Sequence, residues 1–332
     1  MNHVERFRAL MNFQPVDRLP MIEWAVWWDK TIERWHGEGL LQNLTEQAEI
    51  RAFLGLDPYK QLWIAPRGKG CPSPASHGAG ICKNMDEYLK IRKFLYPSPA
   101  FDHAQFKQWG EAHKKGDVVI WISLDGYFWG ARALLGIETH LYAFYDQPEL
   151  MHKINADLTE FNLRAYDEFC QNVCVPDFMT FGEDMSYNNG PMLSKQCFDD
   201  FLKPYYEKIV PVIKDRGTLA MVDSDGDVTD LIPWLEEVGL EGLLPYERRA
   251  GVDVAEIRRN HPKWRMIGAY DKTVMKDGEK AMRKEFERLL PTVKRGGFIP
   301  SVDHQTPPDV SLDTYKVYVK LLKEYCTKAA QK

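Results

Sequence analysis

Short apolar segments alternate with amphipathic segments along almost the whole chain, and this alternation most constrains the fold. The segment 219–222 (LAMV) is a continuous apolar run, which is typical of a strand buried on both faces of a sheet. Helical patterns separate the predicted strands, which are 21–24, 59–64, 118–124, 178–181, 219–222, 242–246, 264–270 and 298–302. Eight βα units with parallel strands close into a barrel, so the sequence predicts an α/β fold of the (β/α)8 TIM-barrel class.

The organisation of the chain is expected to be simple. No linker divides it, since the segment 66–80, rich in glycine, proline and serine, is interpreted as an irregular loop, so we predict a single domain over residues 1–332. Residues 1–12 show an amphipathic helical pattern before the first predicted strand. This pattern adds an N-terminal helical extension to the predicted barrel.

Composition excludes several classes of protein. The net charge of −5 argues against a nucleic-acid partner, and no apolar run is long enough for a membrane span. The N-terminus carries charges where a secretory signal would be uninterrupted and apolar, and the six cysteines contain no CxxC pair. We therefore expect reduced thiols and a cytoplasmic location. The motifs of phosphate-binding loops, dinucleotide folds and serine hydrolases do not occur in the sequence.

Acidic residues recur where the predicted strands end. In a barrel of this class, the loops that follow the strands meet at one rim and build the active site. The strand-end residues are Glu23, Asp125, Glu183, Asp184, Asp223, Asp225, Glu247, Asp271 and His304. We predict an acid-lined pocket in the barrel mouth, with ordinary turn chemistry as the alternative, because turns also favour aspartate.

The segment DSDG (223–226) and two later residues suggest a metal site. Asp223 and Asp225 lie on the same face if the strand continues, because the side-chain period of a strand is two. Together with Glu247 and His304 they form a predicted set of oxygen and nitrogen ligands for a metal such as zinc. The alternative is that the aspartates cap the following helix or turn, and that His304 has a structural role.

Other strand-end residues are candidates for catalysis and substrate binding. The segment FGEDMSYNNGP supplies the candidate catalytic residues Glu183, Asp184 and Tyr187, with Glu183 as the acid or substrate anchor if burial raises its pKa. Predicted substrate-binding residues are Trp24, Trp28, Tyr127, Asn189 and Asp271. Tryptophans near strand ends in the first half of the chain suggest a flat apolar compartment; they are Trp24, Trp27, Trp28, Trp63, Trp121 and Trp129. Loop orientation and core packing are the alternatives for these residues.

Several segments together resemble a known superfamily. They are RFRALMNFQPVDRLPMIEWAVWW, FGEDMSYNNGPMLS, VDSDGDVTDLIPWL, LLPYERRAGVDV, GAYDK and IPSVDHQTPPDVSLDTY, in the order in which they occur. This pattern is similar to the uroporphyrinogen decarboxylase-like superfamily over nearly the whole chain. The resemblance implies a (β/α)8 barrel and either decarboxylation or cobalamin-dependent methyl transfer.

The true decarboxylases of that superfamily carry arginines in an N-terminal RQAGRYLPEY-type segment that binds the substrate carboxylates. Here the corresponding region reads RLPMIEWAVWWDK, and no arginine follows Arg18 until Arg34. An acidic and aromatic pocket has the wrong charge for a porphyrinogen with many carboxylates. The resemblance therefore favours the methyltransferase branch.

The methyltransferase branch commonly binds zinc through an HxCG segment and a later cysteine. By position, Asp223, Asp225 and His304 replace those ligands, which implies a site without thiolates. The resemblance also implies a corrinoid on a partner protein, since the usual cobalt-ligating DxHxxG segment is missing here. A homodimer is a further expectation.

Three functions remain open from the sequence. The first is a methyltransferase that moves a methyl group from a small, methoxyaromatic donor to a corrinoid protein, as in anaerobic O-demethylation, with metal Lewis-acid activation. The second is a decarboxylase or other lyase of a small carboxylated substrate, anchored by Arg67, Arg132, Arg248 or Lys272. The third is a non-catalytic binding protein that kept the barrel as a scaffold.

Overall fold

Seven parallel strands form one sheet, and each strand pairs with its neighbours in chain order. These strands are β1 Tyr59–Ile64, β2 Val119–Asp125, β3 Phe178–Gly182, β6 Leu219–Asp223, β7 Gly242–Leu244, β8 Arg265–Tyr270 and β9 Phe298–Val302. A separate antiparallel hairpin, β4 Ser186–Tyr187 with β5 Gly190–Pro191, follows β3. The carboxyl ends of all seven strands therefore lie at the same edge of the sheet, as the alternation of strand and helix predicts.

The computed structural model describes residues 1–330, so the last two residues of the predicted domain lie outside the described residues. The helices in this range are α1 His3–Met11, α2 Asp29–Gly37, α3 Gln47–Leu54, α4 Met85–Ile91, α5 His103–Lys114, α6 Tyr127–Leu135, α7 Ile137–Asp146, α8 Pro148–Asn172, α9 Lys195–Phe201, α10 Lys203–Asp215, α11 Ile232–Glu237, α12 Val254–Asn260, α13 Glu279–Val293 and α14 Leu312–Ala330. Within the described range, no helix has both the length and the apolar content that crossing a bilayer requires.

The burial of the strands on both faces explains why their sequences are continuous apolar runs. Every residue of β2, β3 and β9 is buried, which is the pattern of strands covered by helices on one face and by the barrel interior on the other. Helix α1 lies at the amino ends of the strands, where Phe7 stacks on Phe178 and Arg8 pairs with Asp177 at 2.8 Å. The opposite ends of the strands remain available for a site.

The first predicted strand, 21–24, is not a strand, and this prediction was wrong. The segment contacts β1 through the Tyr59 hydroxyl and β9 through Ser301, but side chains make most of its hydrogen bonds. The Met21 amide donates to Asp57 Oδ2 at 2.9 Å, and the Trp24 amide donates to Ser301 Oγ at 3.3 Å. Within residues 1–330, a sheet of seven parallel strands therefore replaces the predicted eight, and the segment 21–24 is irregular.

Glu23 connects this segment to β9 and α14 through hydrogen bonds. Its buried carboxylate accepts hydrogen bonds from the Ser301 hydroxyl, the Val302 amide, and the hydroxyls of Tyr315 and Tyr318. Burial raises the pKa of Glu23 to about 7, although these donors oppose the shift. Glu23 is thus a structural anchor and does not line the mouth of the barrel.

Candidate functional site

Three of the four predicted metal ligands come together at the carboxyl edge of the sheet. Asp225 follows β6, Glu247 follows β7 and His304 follows β9, and each offers a ligand atom within 4.8 Å of the others. His304 Nε2 lies 3.5 Å from Asp225 Oδ2, and His304 Nδ1 lies 3.0 Å from Glu247 Oε1. Segments that are far apart in the sequence thus deliver two carboxylates and one imidazole to one point.

The local backbone positions the two carboxylates. The Gly226 amide donates to Glu247 Oε2 at 2.8 Å, which joins the loop after β6 to the loop after β7. Gly226 has a φ of +80°, and a Cβ there would lie 2.9 Å from backbone atoms of Ser186 and Tyr187 in the β4–β5 hairpin. Glycine is therefore required at the end of DSDG by both conformation and space.

The imidazole of His304 lies close to the carboxylates, but one of its ring nitrogens makes no hydrogen bond with them. Its Nδ1 atom is buried and is not aligned for a hydrogen bond with any described residue, even though Glu247 Oε1 is near. The ring of Trp24 approaches His304 edge-on, with centroids 6.3 Å apart, while the Trp24 indole N–H donates to the Val302 carbonyl at 2.6 Å. Trp24, a predicted substrate-binding residue, thus borders the cluster.

The electrostatics of the cluster are coupled. The proximity of Glu247 raises the pKa of His304, and His304 in turn lowers the pKa of Glu247. Burial raises the pKa of Asp225 to about 6, in spite of the nearby imidazole. Burial also lowers the pKa of Lys272, whose ammonium group faces the carboxylates of Asp303, Glu247, Asp225 and Asp271.

Asp223, the fourth predicted ligand, lies outside this cluster and borders a neighbouring cleft. Its carboxylate makes no hydrogen bond with a residue in the described range 1–330. Burial raises its pKa to about 8, and the nearby carboxylates of Asp225 and Asp184 add to the shift. Asp223 is therefore a partner-free carboxyl group next to the cluster.

The cleft beside the cluster has a volume of about 170 Å³ and combines aromatic and acidic walls. Its lining residues are Trp63, Trp129, Gly182, Glu183, Asp184, Asp223, Ser224 and Asp225. Since pockets for drug-sized ligands are roughly 300–1,000 Å³, the cleft suits a smaller molecule. Asp225 belongs to both the cleft and the cluster, so a ligand in the cleft lies next to the possible metal position.

Glu183, the predicted catalytic acid, is fully buried and caps a helix. Its Oε1 accepts from the Tyr127 amide at 2.7 Å and from the Tyr206 hydroxyl, and its Oε2 accepts from the amides of Phe128 at 2.7 Å and Trp129 at 3.1 Å. These amides belong to the first turn of α6, whose N–H groups have no partner within the helix. Burial raises the pKa of Glu183 to about 7. The carboxylate thus caps α6 and also borders the cleft, and its catalytic role stays a prediction.

Two other predicted residues of this region also serve the scaffold. Tyr127 is completely buried, and its hydroxyl donates to the Tyr205 carbonyl at 3.3 Å, so it does not reach a substrate. Asp271 accepts from the Thr273 amide at 2.9 Å and caps the turn after β8. Both side chains thus contact the protein itself in this structure, and their substrate-binding role stays a prediction.

The remaining predicted residues lie on the surface or at the edge of the cleft. Asp184 lines the cleft and pairs with Arg132 at 3.0 Å. Tyr187 and Asn189 are exposed on the β4–β5 hairpin, and Trp28 is exposed at the start of α2. None of these last three side chains is among the residues that line the cleft.

Of the six tryptophans that the sequence singles out, Trp63 and Trp129 line the cleft. Trp27 and Trp121 are buried in the core. The sequence did contain a signal for the two cleft residues: Trp63 is near the carboxyl end of β1, and Trp129 is in the first turn of the helix after β2. Only the three-dimensional arrangement distinguishes them from the others.

Comparisons with known proteins agree with this architecture. The family described as uroporphyrinogen decarboxylase (URO-D) matches residues 124–325. A solved methyltransferase from Methanosarcina mazei shares the fold at a TM-score of 0.69 and 16% identity, over 98% of this chain and 99% of that chain.

Two further solved structures are similar at a lower level. A B12-independent methionine synthase from Shewanella sp. W3-18-1 has a TM-score of 0.43 and 12% identity, over 67% of this chain and 65% of that chain. The GH53 catalytic domain of Ignisphaera aggregans has a TM-score of 0.45 and 12% identity, over 92% of this chain and 99% of that chain. A comparison with curated protein sequences finds no significant match.

Proposed function

Because this chain belongs to the uroporphyrinogen decarboxylase (URO-D) family, we propose that it is a methyltransferase of that family and does not decarboxylate porphyrinogens. The methyl donor is a small methoxyaromatic compound, and the acceptor is the corrinoid of a separate protein. The observation that carries this proposal is a small aromatic and acidic cleft that shares Asp225 with a cluster of metal-ligand type. The fold of the Methanosarcina mazei methyltransferase is consistent with it.

The charge of the cleft supports a neutral donor over an anionic substrate. Four acidic residues line it, Glu183, Asp184, Asp223 and Asp225, and the guanidinium of Arg132 is paired with Asp184. Arg18, the one arginine in the region where decarboxylases bind substrate carboxylates, instead makes two 2.7 Å hydrogen bonds to Asp57. A porphyrinogen with several carboxylates would meet repulsion here, and the cleft volume of about 170 Å³ is also too small for it.

The residues present fit a zinc ion. Asp225, Glu247 and His304 offer two oxygen atoms and one nitrogen atom, which are common zinc ligands, and the buried His304 Nδ1 lacks a hydrogen-bond partner in the described chain. Three protein ligands are typical of catalytic zinc sites, which keep a position open. When bound, zinc would supply Lewis-acid polarisation of the ether oxygen of the donor.

The chain's own residues would complete the reaction. Methyl transfer breaks the O–CH₃ bond, the methyl group passes to the corrinoid of the partner protein, and the bonding electron pair stays on the oxygen. Asp223 is placed to give that oxygen a proton, because its carboxyl group borders the cleft beside the cluster and has no partner in residues 1–330. The indoles of Trp63 and Trp129 would form the aromatic walls of the cleft and exclude water from the donor.

A direct assay tests the proposal. The purified protein is mixed with a reduced corrinoid protein and a panel of methoxylated phenols, and the methylated corrinoid is followed by absorbance while the phenol product is measured by chromatography. We expect both products in equal amounts, and a loss of at least about hundredfold in rate for Asp223→Asn. Absence of transfer from every donor in the panel would contradict the proposal.

One observation favours a second candidate, the decarboxylation of a small carboxylated compound. Arg67, Arg132 and Arg248 each donate to protein oxygens, whereas the ammonium group of Lys272 makes no hydrogen bond within the described residues. Lys272 could therefore bind a substrate carboxylate. Release of CO₂ from small aromatic acids, abolished in Lys272→Met, would support this candidate, and release that is indifferent to the change would exclude Lys272 as the anchor.

A further inference from the structure

The indole of Trp63 lies across the ends of three neighbouring strands. Trp63 is in β1, its Nε1 donates to Asp125 Oδ1 of β2 at 2.7 Å, and its ring covers Gly182 of β3. A Cβ at Gly182 would lie 2.7 Å from two atoms of the indole ring. The indole therefore occupies its place only because Asp125 holds it and because Gly182 has no side chain.

This indole is fixed although it is not buried. Trp63 is 43% exposed, so core packing does not determine its orientation. Asp125 is itself buried, which makes the acceptor rigid, and burial raises the pKa of Asp125 to about 6. A large aromatic side chain that is held by a buried acceptor and remains open to a cleft is arranged for contact with a ligand.

The ring of Trp129, the other aromatic side chain that lines the cleft, is already partly covered by a cation. The guanidinium of Arg132 lies over the ring of Trp129, 5.2 Å from its centroid, and also pairs with Asp184. Trp63 has no such cover, since within residues 1–330 no aromatic ring or cation stacks on it. The free aromatic surface of the cleft is therefore the indole of Trp63.

We propose that Trp63, held by Asp125 over Gly182, is the specificity-determining surface on which the aromatic ring of the methyl donor stacks. This inference rests on the proposed function for the nature of the donor. Offset stacking contributes about 0.5–1.5 kcal/mol beyond the burial of area, which corresponds to roughly two- to tenfold in affinity. Aromatic methyl ethers should thus be preferred to saturated ethers of the same size, and Asp125 acts as a positioning residue.

Binding measured without any corrinoid protein tests the inference separately from the reaction. Isothermal titration calorimetry compares 2-methoxyphenol with methoxycyclohexane, a saturated ether of similar size. In Trp63→Leu we expect 2-methoxyphenol to bind about tenfold more weakly, while binding of methoxycyclohexane changes less than about threefold. The matched control is Trp109→Leu on α5, outside the cleft, which should leave both affinities unchanged.

Two further variants test the positioning of the indole. Asp125→Asn keeps an acceptor for the indole N–H and should retain the preference for the aromatic ligand, whereas Asp125→Ala should lose it. Gly182→Ala should lose it as well, because the added methyl group displaces the ring. Thermal unfolding of each variant identifies any that fails to fold. If Asp125→Ala or Gly182→Ala does not fold, the ligand preferences of Asp125→Asn and Trp63→Leu decide the test.

The possible outcomes separate the two proposals. An unchanged affinity of Trp63→Leu for 2-methoxyphenol, or no binding of this compound to the wild-type protein, would overturn the stacking inference. Binding that depends on Trp63 without any methyl transfer would support the stacking surface and contradict the proposed methyltransferase. Methyl transfer that is equally fast in Trp63→Leu would leave the function standing and refute the role of Trp63.

Discussion

Replacing Glu183 by glutamine should destabilise the protein through the first turn of α6. The substitution keeps the size of the side chain but turns one acceptor oxygen into a donor NH₂ group. If Oε1 is replaced, the Tyr206 hydroxyl can rotate to accept, but the Tyr127 amide loses its acceptor in a buried environment. An unsatisfied buried donor costs about 1–3 kcal/mol. The amides of Phe128 and Trp129 would then donate to a neutral oxygen and no longer to a carboxylate. The loss of these charge-assisted hydrogen bonds costs about 1 kcal/mol more.

The expected loss in the free energy of unfolding is thus about 2–4 kcal/mol, which lowers Tm by roughly 4–8 °C at about 2 °C per kcal/mol. Differential scanning calorimetry at pH 8.5 measures it, since the pKa of Glu183 is raised to about 7 and the carboxylate is then ionised. The control is Glu138→Gln, an exposed residue in the first turn of α7, which should change stability by less than about 0.5 kcal/mol. An unchanged Tm with lost activity would refute the helix-cap account and favour Glu183 as a catalytic acid.

Two further predictions concern the loop after β6 and the effect of pH. Gly226→Ala should cost about 1–3 kcal/mol more than Gly217→Ala; both glycines have positive φ, so this backbone cost cancels, but of the two only Gly226 would place a Cβ against backbone, at 2.9 Å. Urea unfolding of both variants measures the difference, and equal losses would contradict the packing argument. Burial raises the folded-state pKa values of Glu23 and Glu183 to about 7, above the unfolded value of 4.5. The folded state therefore binds more protons than the unfolded state. With a chelator present, the free energy of unfolding should fall from pH 6.5 to pH 8.5 by roughly 1 kcal/mol for each of these two glutamates. A free energy of unfolding that rises over this range would contradict the prediction.

Most of the sheet follows from local sequence, because strands buried on both faces must be apolar throughout. The run at 118–124 corresponds to β2 Val119–Asp125, and the run at 219–222 to β6 Leu219–Asp223. The prediction for 242–246 was too long, since β7 ends at Leu244 before Pro245, which has no N–H to give to a neighbouring strand.

The predictions failed where distant residues decide the structure. The segment 21–24 is apolar and extended, but its amides pair with Asp57 and Ser301, which are 36 and 277 residues away from their partners. The contacts of Glu183 also depend on distant residues, because its hydrogen-bond donors at the start of α6 are 54 to 56 residues earlier in the chain; its catalytic role stays a prediction. No local pattern distinguishes such a helix cap from a catalytic carboxylate.

The sequence pattern predicts that carboxylates and an imidazole lie close together, but not which of these residues do so, and the metal site stays a prediction. Strand-end reasoning finds Asp225, Glu247 and His304, because the carboxyl ends of parallel strands share one edge. The same reasoning also includes Asp223, since alternation places it on the same face as Asp225. In the structure β6 ends at Asp223, so strand alternation does not extend to Asp225; both aspartates line the cleft, but only Asp225 joins Glu247 and His304.

The central claim, that Asp225, Glu247 and His304 form a metal site, is tested most directly by zinc binding. Zinc content by mass spectrometry and affinity by competition with a chelator are measured for the wild type, His304→Ala, Glu247→Ala and Asp223→Asn. We expect one zinc ion per chain in the wild type and in Asp223→Asn. His304→Ala and Glu247→Ala should bind zinc at least about a hundredfold more weakly. Zinc binding that is indifferent to His304→Ala and Glu247→Ala, or that is lost only in Asp223→Asn, would contradict the account.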